Sequence, residues 1–547
     1  MRAGSWPRRT SEALLLILFA LLVLAPLAAL VFEAIQPVRS GQSLLSVSSL
    51  LGRDTFGNLK ATLQLATWTA GVALMAGAFL AGLLDAVPPR GLRWVEPLLL
   101  GSFLIPPYLT AVAWTLIAGP VGLWNQLFGH GGAWLAKALY SLPGMAIVMA
   151  LHLTPLVYVM ASAALRGVDH SLREAAQVHG APPWHARWMG YRPGVIPALL
   201  AATLLVFLAS AEEFGVPKVL GNLAGVQVLS VAVEQAMDVW PTNLPRASAI
   251  GLLLGAISLV IWLLAFPLTR ANAGTAQRRP ARTHRWSGVP PLLFALIATG
   301  LPLAAIAITA LQKAVTNGLA SGNWTGSHFA RVLRLGDGGL SALMASTGLA
   351  VFTSIVGMAF AVIGLLALQR APRRLGRALE AAGYAPQAVP GVVMATGLIL
   401  FWNAPGNPLP IYGHISIIAI AYLALTLPYA LRYAASGLQQ IPESMTQAAS
   451  VHGARMPRIL ARITLPLAWP HIVAGAAVLF AFSMRELASS ILLQPPGVQV
   501  ISTYIYAQFD QGNVNDGMAL AVVGFALTLA VLVIARVSGS VLQRLSG

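Results

Sequence analysis

The sequence predicts an all-α polytopic membrane protein with about 12 transmembrane helices, arranged as two parallel six-helix repeats. Composition is the first reason: 57% of the 547 residues are hydrophobic, 9% are charged, and the mean hydropathy is +0.74. A water-soluble chain of this length cannot bury so much apolar side chain. The second reason is a series of apolar runs, each near the roughly 20 residues that a membrane helix needs. The third is a polar segment that occurs twice.

About six apolar runs lie in each half, and they are too long and too uniformly apolar for the alternating strands of a membrane barrel. The runs of the first half lie near residues 14–32, 61–84, 98–118, 142–165, 195–210 and 250–268. The runs of the second half lie near residues 291–311, 341–368, 382–401, 415–431, 472–492 and 518–534. Helix is therefore predicted for all of them.

The repeated segment is polar and lies between apolar runs. Residues 174–197 read EAAQVHGAPPWHARWMGYRPGVIP, and residues 447–470 read QAASVHGARMPRILARITLPLAWP. The match continues at the same offset through Phe207 and Phe480 and through Glu213 and Glu486. Downstream, GVQVLS at 225–230 matches GVQVIS at 497–502. The chain is therefore two copies of one unit.

Charge placement predicts the orientation and the repeat boundaries. If the amino terminus and both copies of the repeated segment lie on one side, most of the 34 Lys and Arg residues lie there too, and this excess marks the cytoplasmic face. An even number of helices per repeat puts both termini in the cytoplasm. We predict a first repeat at 1–269, a basic cytoplasmic linker at 270–287 and a second repeat at 288–547. The net charge of +17 is thus explained without nucleic acid.

Local turn chemistry predicts a helix, a turn and a second helix in each repeated segment. Ser171 and Glu174 form an S-x-x-E capping-box pattern, and Ser444 and Gln447 form its S-x-x-Q equivalent. Gly180 and its equivalent Gly453 are placed to end these helices in a left-handed conformation. Prolines then precede the next apolar run, so each segment should lie as a short helix against the cytoplasmic face.

The pattern E-A-A, three residues, then Gly resembles the EAA loop of binding-protein-dependent ABC importer permeases, and the ferric-ion and thiamine branch in particular. In that family the loop is the coupling helix that docks on the ATPase. The resemblance assigns ATPase coupling to matching residues in both halves: Glu174, Ala175, Ala176, His179, Gly180 and Ala181, and Gln447, Ala448, Ala449, His452, Gly453 and Ala454. Gln447 departs from the acidic residue of the pattern, and Arg192 stands where the second copy has Leu465, so the two docking sites should differ. The two histidines are interpreted as polar residues packed beside the ATPase.

The resemblance also implies partners. The chain has no G-x-x-x-x-G-K-[ST] phosphate loop, so it is predicted to be a permease rather than an enzyme, with ATP and Mg bound by a separate ATPase. Two loops imply two copies of that ATPase, and import implies a periplasmic solute-binding protein. The expected location is the bacterial inner membrane, in contact with lipid. Cysteine is absent, so disulfides and thiolate metal sites are excluded.

Ionisable residues near the membrane are the candidates for a translocation path, because burying them is costly. Glu213 and Glu486 are equivalent by the repeat, whereas their neighbours Glu212 and Arg485 differ in charge. Arg485 can pair with a carboxylate, so an ordinary salt bridge at the outer mouth is an equally good interpretation. No metal site is assigned.

The cargo is predicted from the ligand chemistry of carboxylates and from the resemblance to known permeases. Paired carboxylates suit hard cations, and the stretches 211–221 and 485–506 resemble the ferric-ion permease branch, so ferric iron is the first candidate. Thiamine, phosphonate and polyamine remain alternatives within the same machinery. An integral-membrane enzyme or a scaffold with a cytoplasmic partner remains the alternative class.

Overall fold

The computed structural model describes residues 19–35, 52–86, 95–167, 170–240, 242–270, 286–368, 383, 385–407, 409 and 411–546. These residues are almost entirely helical, and the one β-bridge found among them joins Gln312 to Trp324. The described chain forms two compact units. The amino unit is Pro37–Thr325, and the carboxyl unit combines Met1–Gln36 with Gly326–Gly547.

The amino unit contains long helices joined by short ones. Its long helices are Arg53–Ala86, Pro107–Ala118, Leu142–Arg166, Pro183–Glu212 and Leu244–Arg270, followed by Val289–Ala295 and Leu301–Leu311 with a π-helical turn between them. Its shorter helices are Val95–Gly101, Leu123–Phe128, Ala133–Leu139, His170–Val178, Asn222–Ala224 and Leu229–Asp238.

The carboxyl unit has the same kinds of element. Its helices are Ala25–Ile35, Ser327–Val332, Gly338–Leu368, Gly391–Trp402, Ser416–Gln439, Glu443–Val451, Met456–Ile459, Leu465–Arg485, Ala488–Leu493, Ile501–Asp510 and Val514–Ser546. Across the described parts of both units, nine helices are long and apolar enough to cross a membrane, or up to 11 if each of two bent pairs is one span. Two shorter apolar helices add to these. The all-α polytopic class is confirmed, while the total of 12 spans stays a prediction.

The first helix of each predicted repeat packs in the unit that holds the rest of the other repeat. In the carboxyl unit, Ala25–Ile35 packs on Gly391–Trp402. A Cβ at Gly397 would lie 2.6 Å from the carbonyl oxygen of Pro26, so the glycine permits this close approach. In the amino unit, Leu301–Leu311 packs on Pro107–Ala118. The compact units therefore differ from the predicted repeats at 1–269 and 288–547 by an exchange of first helices, and the repeat boundaries themselves stay a prediction.

Small residues bring the central helices of the amino unit together. Arg53–Ala86 packs on Leu142–Arg166 and Pro183–Glu212 around one apolar cluster. The cluster is Ala70, Ala73, Ala150, Leu153, Val157, Ala202 and Val206. A Cβ at Gly77 would lie 2.6 Å from the Cβ of Val157. In a bilayer, where lipid is as apolar as leucine, such close backbone packing is a main source of helix association.

Three predicted spans have different bounds in the structure. The run at 195–210 belongs to the longer helix Pro183–Glu212. The run at 98–118 is bent by 99° at Ile105 and Pro106, where an extended proline interrupts the helix. The run predicted at 472–492 is wrong as a single helix, because Leu465–Arg485 ends before Glu486 and a new helix begins at Ala488. That break positions the site described next.

Candidate functional site

Two nine-residue helices carry the repeated EAA pattern. They are His170–Val178 and Glu443–Val451, and we name them the first and the second coupling helix after the role predicted for them. Glu174 and Ala175 are exposed in the first, as are Gln447 and Ala448 in the second. Ala176 and Ala449 are half-buried in their respective copies. Both helices therefore present the predicted residues to the surroundings instead of packing them into a core.

The turn after each coupling helix has the same geometry. Gly180 and Gly453 have φ of 81° and 79°, which confirms the predicted left-handed ends. The amide of Ala181 donates to the carbonyl of Ala176 at 2.9 Å, and Gly180 donates to Gln177 at 3.0 Å. The second turn repeats both bonds: Ala454 to Ala449, and Gly453 to Ser450, each at 3.0 Å. This is the paired 6→1 and 5→2 pattern of a Schellman motif, so the direction of the chain after each helix is fixed by backbone bonds.

His179 and His452 have a role that sequence reasoning missed. Nδ1 of each ring lies 2.8 Å from a carbonyl oxygen four residues earlier, Ala175 in the first copy and Ala448 in the second. The same carbonyls accept the backbone amides of His179 and His452 at 3.1 Å, so each imidazole adds a second contact at the carboxyl end of its coupling helix. The signal was present in the sequence, because a basic side chain directly before a terminating glycine favours this contact.

The capping box predicted in the second copy is wrong. The second coupling helix starts at Glu443 after Pro442, which has extended backbone and provides no side-chain cap, so Ser444 lies inside the first turn. In the first copy Ser171 lies within His170–Val178, and the capping box there stays a prediction. The proline sets the start in the second copy, because its fixed φ and missing N–H suit the residue just before a helix.

The break at the carboxyl end of the fifth predicted span is built in the same way in both units. Glu213 follows the helix that ends at Glu212, and its Oε1 accepts a bond of 2.9 Å from the amide of Gly215. Oε1 of Glu486 accepts from the amide of Ser489 at 2.9 Å and from its hydroxyl at 3.1 Å. Each half-buried carboxylate thus accepts a hydrogen bond from a backbone amide just after the break.

A second contact joins each break to the short helix downstream. The Ser230 hydroxyl donates to the carbonyl of Glu213 at 2.7 Å, and the Ser502 hydroxyl donates to the carbonyl of Glu486 at 2.6 Å. Ser230 and Ser502 are the equivalent serines of GVQVLS and GVQVIS. In the amino unit, the result is a discontinuous hairpin, Pro217–Ala224 with Leu229–Asp238, bent by 87°.

A third contact caps the second arm of each hairpin. The amide of Leu229 donates to the Thr62 hydroxyl at 2.9 Å, and the amide of Ile501 donates to the Ser346 hydroxyl at 2.7 Å. Both hydroxyl groups are buried and come from the long helix that opens each unit's central bundle. Sequence reasoning missed them. Aligning 59–72 with 343–356, which puts Thr62 opposite Ser346, would have found the pair.

The charges around the breaks differ between the units. Lys218 and Glu234 form an ion pair of 2.7 Å in the amino unit, with side chains only 11% and 8% exposed. Ile491 and Tyr506 occupy the equivalent positions in the carboxyl unit. Sequence reasoning missed this ion pair.

The two residues directly before the repeated glutamates also differ. Oε1 of Glu212 is enclosed and has no hydrogen-bond partner among the described residues. The guanidinium of Arg485 lies over the ring of Phe482, 4.4 Å from its centroid. Arg485 therefore makes a cation–π contact, and its pairing with a carboxylate stays a prediction.

No group of three or more His, Cys, Asp or Glu side chains placed to hold a metal ion occurs in the described parts of the chain. The carboxylates of Glu213 and Glu486 accept hydrogen bonds from their own chain segments, and neither gathers a set of ligands. The site is thus a pair of coupling helices and a pair of broken helices.

Comparison with known proteins gives the family. The sequence profile described as "Binding-protein-dependent transport system inner membrane component" matches residues 73–278 and again 357–546, which together exceed half of the chain. A putative 2-aminoethylphosphonate transport system permease protein, PhnV of Salmonella paratyphi A, is 28% identical over 246 residues, or 45% of this chain and 91% of that protein.

Two longer relatives match along most of the chain. The probable ABC transporter permease y4fN of Sinorhizobium fredii is 26% identical and covers 76% of this chain and 77% of its own. The Fe(3+)-transport system permease FbpB 2 of Haemophilus influenzae is 24% identical and covers 84% of both chains. With the family matched once in each half, on helices long enough to span a membrane, this chain is a fused, multi-pass inner-membrane permease of the binding-protein-dependent ABC importer family, and not an enzyme.

Proposed function

We propose that this chain provides both membrane halves of an ATP-driven importer that moves a solute from periplasm to cytoplasm by alternating access. The main support for this proposal is the pair of coupling helices, which share one turn geometry and expose the same small residues. Members of this family work with an ATPase and a solute-binding protein. Two coupling helices in one chain support two copies of the ATPase, with ATP and Mg bound there. The basic side of the chain supports cytoplasmic coupling helices and cytoplasmic termini.

The proposed mechanism transmits force through backbone turns. When the ATPases close on ATP, the coupling helices move with them. Since each Schellman turn fixes the direction of the chain into the next long helix, the movement reaches Pro183–Glu212 and Pro457–Arg485 without passing through a flexible loop. The broken helices at Glu213 and Glu486 lie at the far ends of those same helices. They are the proposed translocation elements, together with Glu212 and Arg485.

The coupling prediction is tested at the two glycines. A Cβ at Gly180 or Gly453 would meet no atom within 4 Å, so a substitution acts only through the left-handed backbone. Valine there costs roughly 1–2 kcal/mol of backbone strain per site, whereas asparagine tolerates the conformation. We expect the pair Gly180→Val and Gly453→Val to lose cargo-stimulated ATP hydrolysis and uptake in proteoliposomes that contain the ATPase and the binding protein. The pair Gly180→Asn and Gly453→Asn, as control, should retain both. Normal uptake by the valine pair would show that the turns do not transmit the movement.

Ferric iron is the cargo we propose first. The support is the ferric-transport relative, which matches along 84% of the chain, and the repeated carboxylates at the breaks. A phosphonate is the second candidate, since the permease annotated for 2-aminoethylphosphonate transport matches 45% of the chain. Thiamine and polyamine rest on the sequence resemblance alone.

The cargo is tested with two radiolabelled solutes and one conservative pair of variants. Glu213→Gln and Glu486→Gln keep an oxygen that can accept the bonds from Gly215 and Ser489 but remove the charge. If a cation uses these carboxylates, uptake of iron should fall by about tenfold or more while the protein remains as stable as the parent. Unchanged iron uptake would leave the carboxylates with the structural role alone. Uptake of 2-aminoethylphosphonate instead of iron would select the second cargo.

A further inference from the structure

The segments that follow the two coupling helices carry their charged side chains at different positions. The first elbow, residues 182–191, exposes Trp184, Trp188 and Met189 at 71%, 52% and 49%. The second elbow, residues 455–464, exposes Arg455 at its start, with Arg458 and Arg462 on the following turns. At the positions equivalent to these three arginines the first elbow has Pro182, His185 and Met189. The arginines of the first copy, Arg187 and Arg192, have Leu460 and Leu465 as equivalents, so the turn is kept while the cationic positions differ.

The arginines of the second elbow have no ion-pair partner among the described residues. Arg458 and Arg462 lie in the first turns of the candidate span Pro457–Arg485, and Arg455 lies two residues before it. The next turns of that helix expose Leu465, Leu467 and Trp469 at 38%, 42% and 46%. Large apolar side chains exposed on a membrane helix face lipid, and tryptophan prefers the boundary between hydrocarbon and headgroups.

Helix geometry places Arg462 nearest to the headgroups. At a rise of 1.5 Å per residue, Arg462 lies roughly 10 Å and Arg458 roughly 16 Å before Trp469 along the helix, and Arg455 precedes the helix. The polar layer on each side of a bilayer is of the order of 5–8 Å thick, so Arg462 lies just outside it and Arg458 farther out, and their long side chains can extend toward it. A guanidinium binds phosphate oxygens through two parallel hydrogen bonds.

We propose that the second elbow binds the phosphate groups of anionic phospholipids in the leaflet next to the coupling helices, through Arg458 and Arg462 with support from Arg455. The first elbow exposes aromatic rings, which need no anionic lipid. The ATPase is the less suitable partner for these arginines, because they belong to the span and not to the second coupling helix, whose exposed residues include Glu443, Gln447 and Val451.

The test compares two double variants, each of which removes two exposed arginines. Arg458→Gln with Arg462→Gln removes the proposed site, and Arg432→Gln with Arg536→Gln is the control. Each full-length protein is placed in nanodiscs of phosphatidylcholine, with or without phosphatidylglycerol, and without any ATPase. Native mass spectrometry then counts the retained phosphatidylglycerol, and the unfolding midpoint is measured in parallel. Each arginine near an anionic surface contributes about fivefold to binding, so the elbow variant should retain phosphatidylglycerol roughly 25-fold less well, whereas the control should stay close to the parent.

Three results would overturn the proposal. The first is equal retention of phosphatidylglycerol by the elbow variant and the parent. The second is a rise of the unfolding midpoint, on adding inorganic phosphate to discs of phosphatidylcholine, that equals the rise caused by phosphatidylglycerol. That result would indicate a site for free anions instead of lipid. The third is an elbow variant that retains lipid but no longer copurifies with the ATPase, which would assign the arginines to that partner. A lipid effect that weakens in high salt and disappears only in the elbow variant supports the proposal.

Discussion

The hairpins that follow Glu213 and Glu486 share their hydrogen bonds but not their charges. In both units the glutamate carboxylate accepts a hydrogen bond from an amide after the break, and a serine hydroxyl donates to the glutamate carbonyl. A hydroxyl from a neighbouring long helix accepts the first amide of the second arm. The Lys218–Glu234 pair occurs only in the amino unit. Contacts that satisfy broken backbone are therefore duplicated, whereas charged side chains have diverged.

The coupling regions show the same division. The glycine turns and the histidine contacts agree between copies to within 0.1 Å and a few degrees. The exposed groups around them differ, with Glu174 against Gln447 and Met189 against Arg462. Backbone polar groups in a membrane protein have few alternative partners, so contacts that satisfy them tolerate little change. Exposed side chains are constrained only by what they touch.

The largest expected effect comes from breaking the buried pair that only the amino unit has. Lys218→Met leaves the Glu234 carboxylate buried without its partner, which should destabilise the protein by about 3–5 kcal/mol. Adding Glu234→Met removes the unpaired carboxylate and should recover most of the lost stability. Two apolar side chains then pack in place of the ion pair, as Ile491 does at the position equivalent to Lys218. The measurement is thermal unfolding in detergent, monitored by tryptophan fluorescence.

The equivalent change in the carboxyl unit is the control for that prediction. Ile491→Met conserves volume and apolar character, so it should cost less than about 1.5 kcal/mol. If Lys218→Met lowered the free energy of unfolding no more than Ile491→Met does, the ion pair would not contribute to stability. The charge difference between the units would then have no effect on their stability.

The next effect tests what the units share. Thr62→Val and Ser346→Ala each remove the hydroxyl that caps the second arm of a hairpin, and each should cost about 1–2 kcal/mol. Thr62→Ser and Ser346→Thr retain the hydroxyl and serve as controls. Hydrogen exchange at the amides of Leu229 and Ile501 should become faster in the first pair of variants and stay unchanged in the second. Faster exchange in only one unit would mean that the same hydrogen-bond geometry stabilises the two units by different amounts.

The fold class and the coupling turns were predictable from sequence because their signals are local. Apolar runs of span length predict membrane helices, and Gly180 and Gly453 carry the conformational preference of a left-handed helix end. The exchange of first helices between units was not predictable, since it depends on contacts such as Gly397 against Pro26, far apart in the chain.

The broken helices show why a membrane span can be misread. The run at 472–492 is uncharged except at Arg485 and Glu486, and hydropathy does not report that a helix ends there. The break is stabilised by Ser489, Ser490 and Ser502, which bond to Glu486 in three dimensions. Because these partners come from both sides of a turn, the carboxylate was predictable as a candidate site, but its structural role was not.

The smallest expected effect concerns the one charge difference within the coupling helices. Glu174 and Gln447 are both exposed, so exchanging them by Glu174→Gln with Gln447→Glu should leave the unfolding midpoint unchanged. A single exposed ionic contact contributes about 0.2–1 kcal/mol, so Glu174→Gln alone should weaken binding of the ATPase by no more than about fivefold. The exchange variant should restore affinity by placing the charge on the other copy. Titration of the ATPase at low and high salt distinguishes the cases, because only a contact made by the carboxylate is screened. Full recovery would mean that the two docking sites present the same chemistry to their ATPases. If Glu174→Gln weakens binding and the exchange does not restore it, the two ATPase subunits recognise different copies of the loop, and the divergence of the exposed groups is part of how the permease is driven.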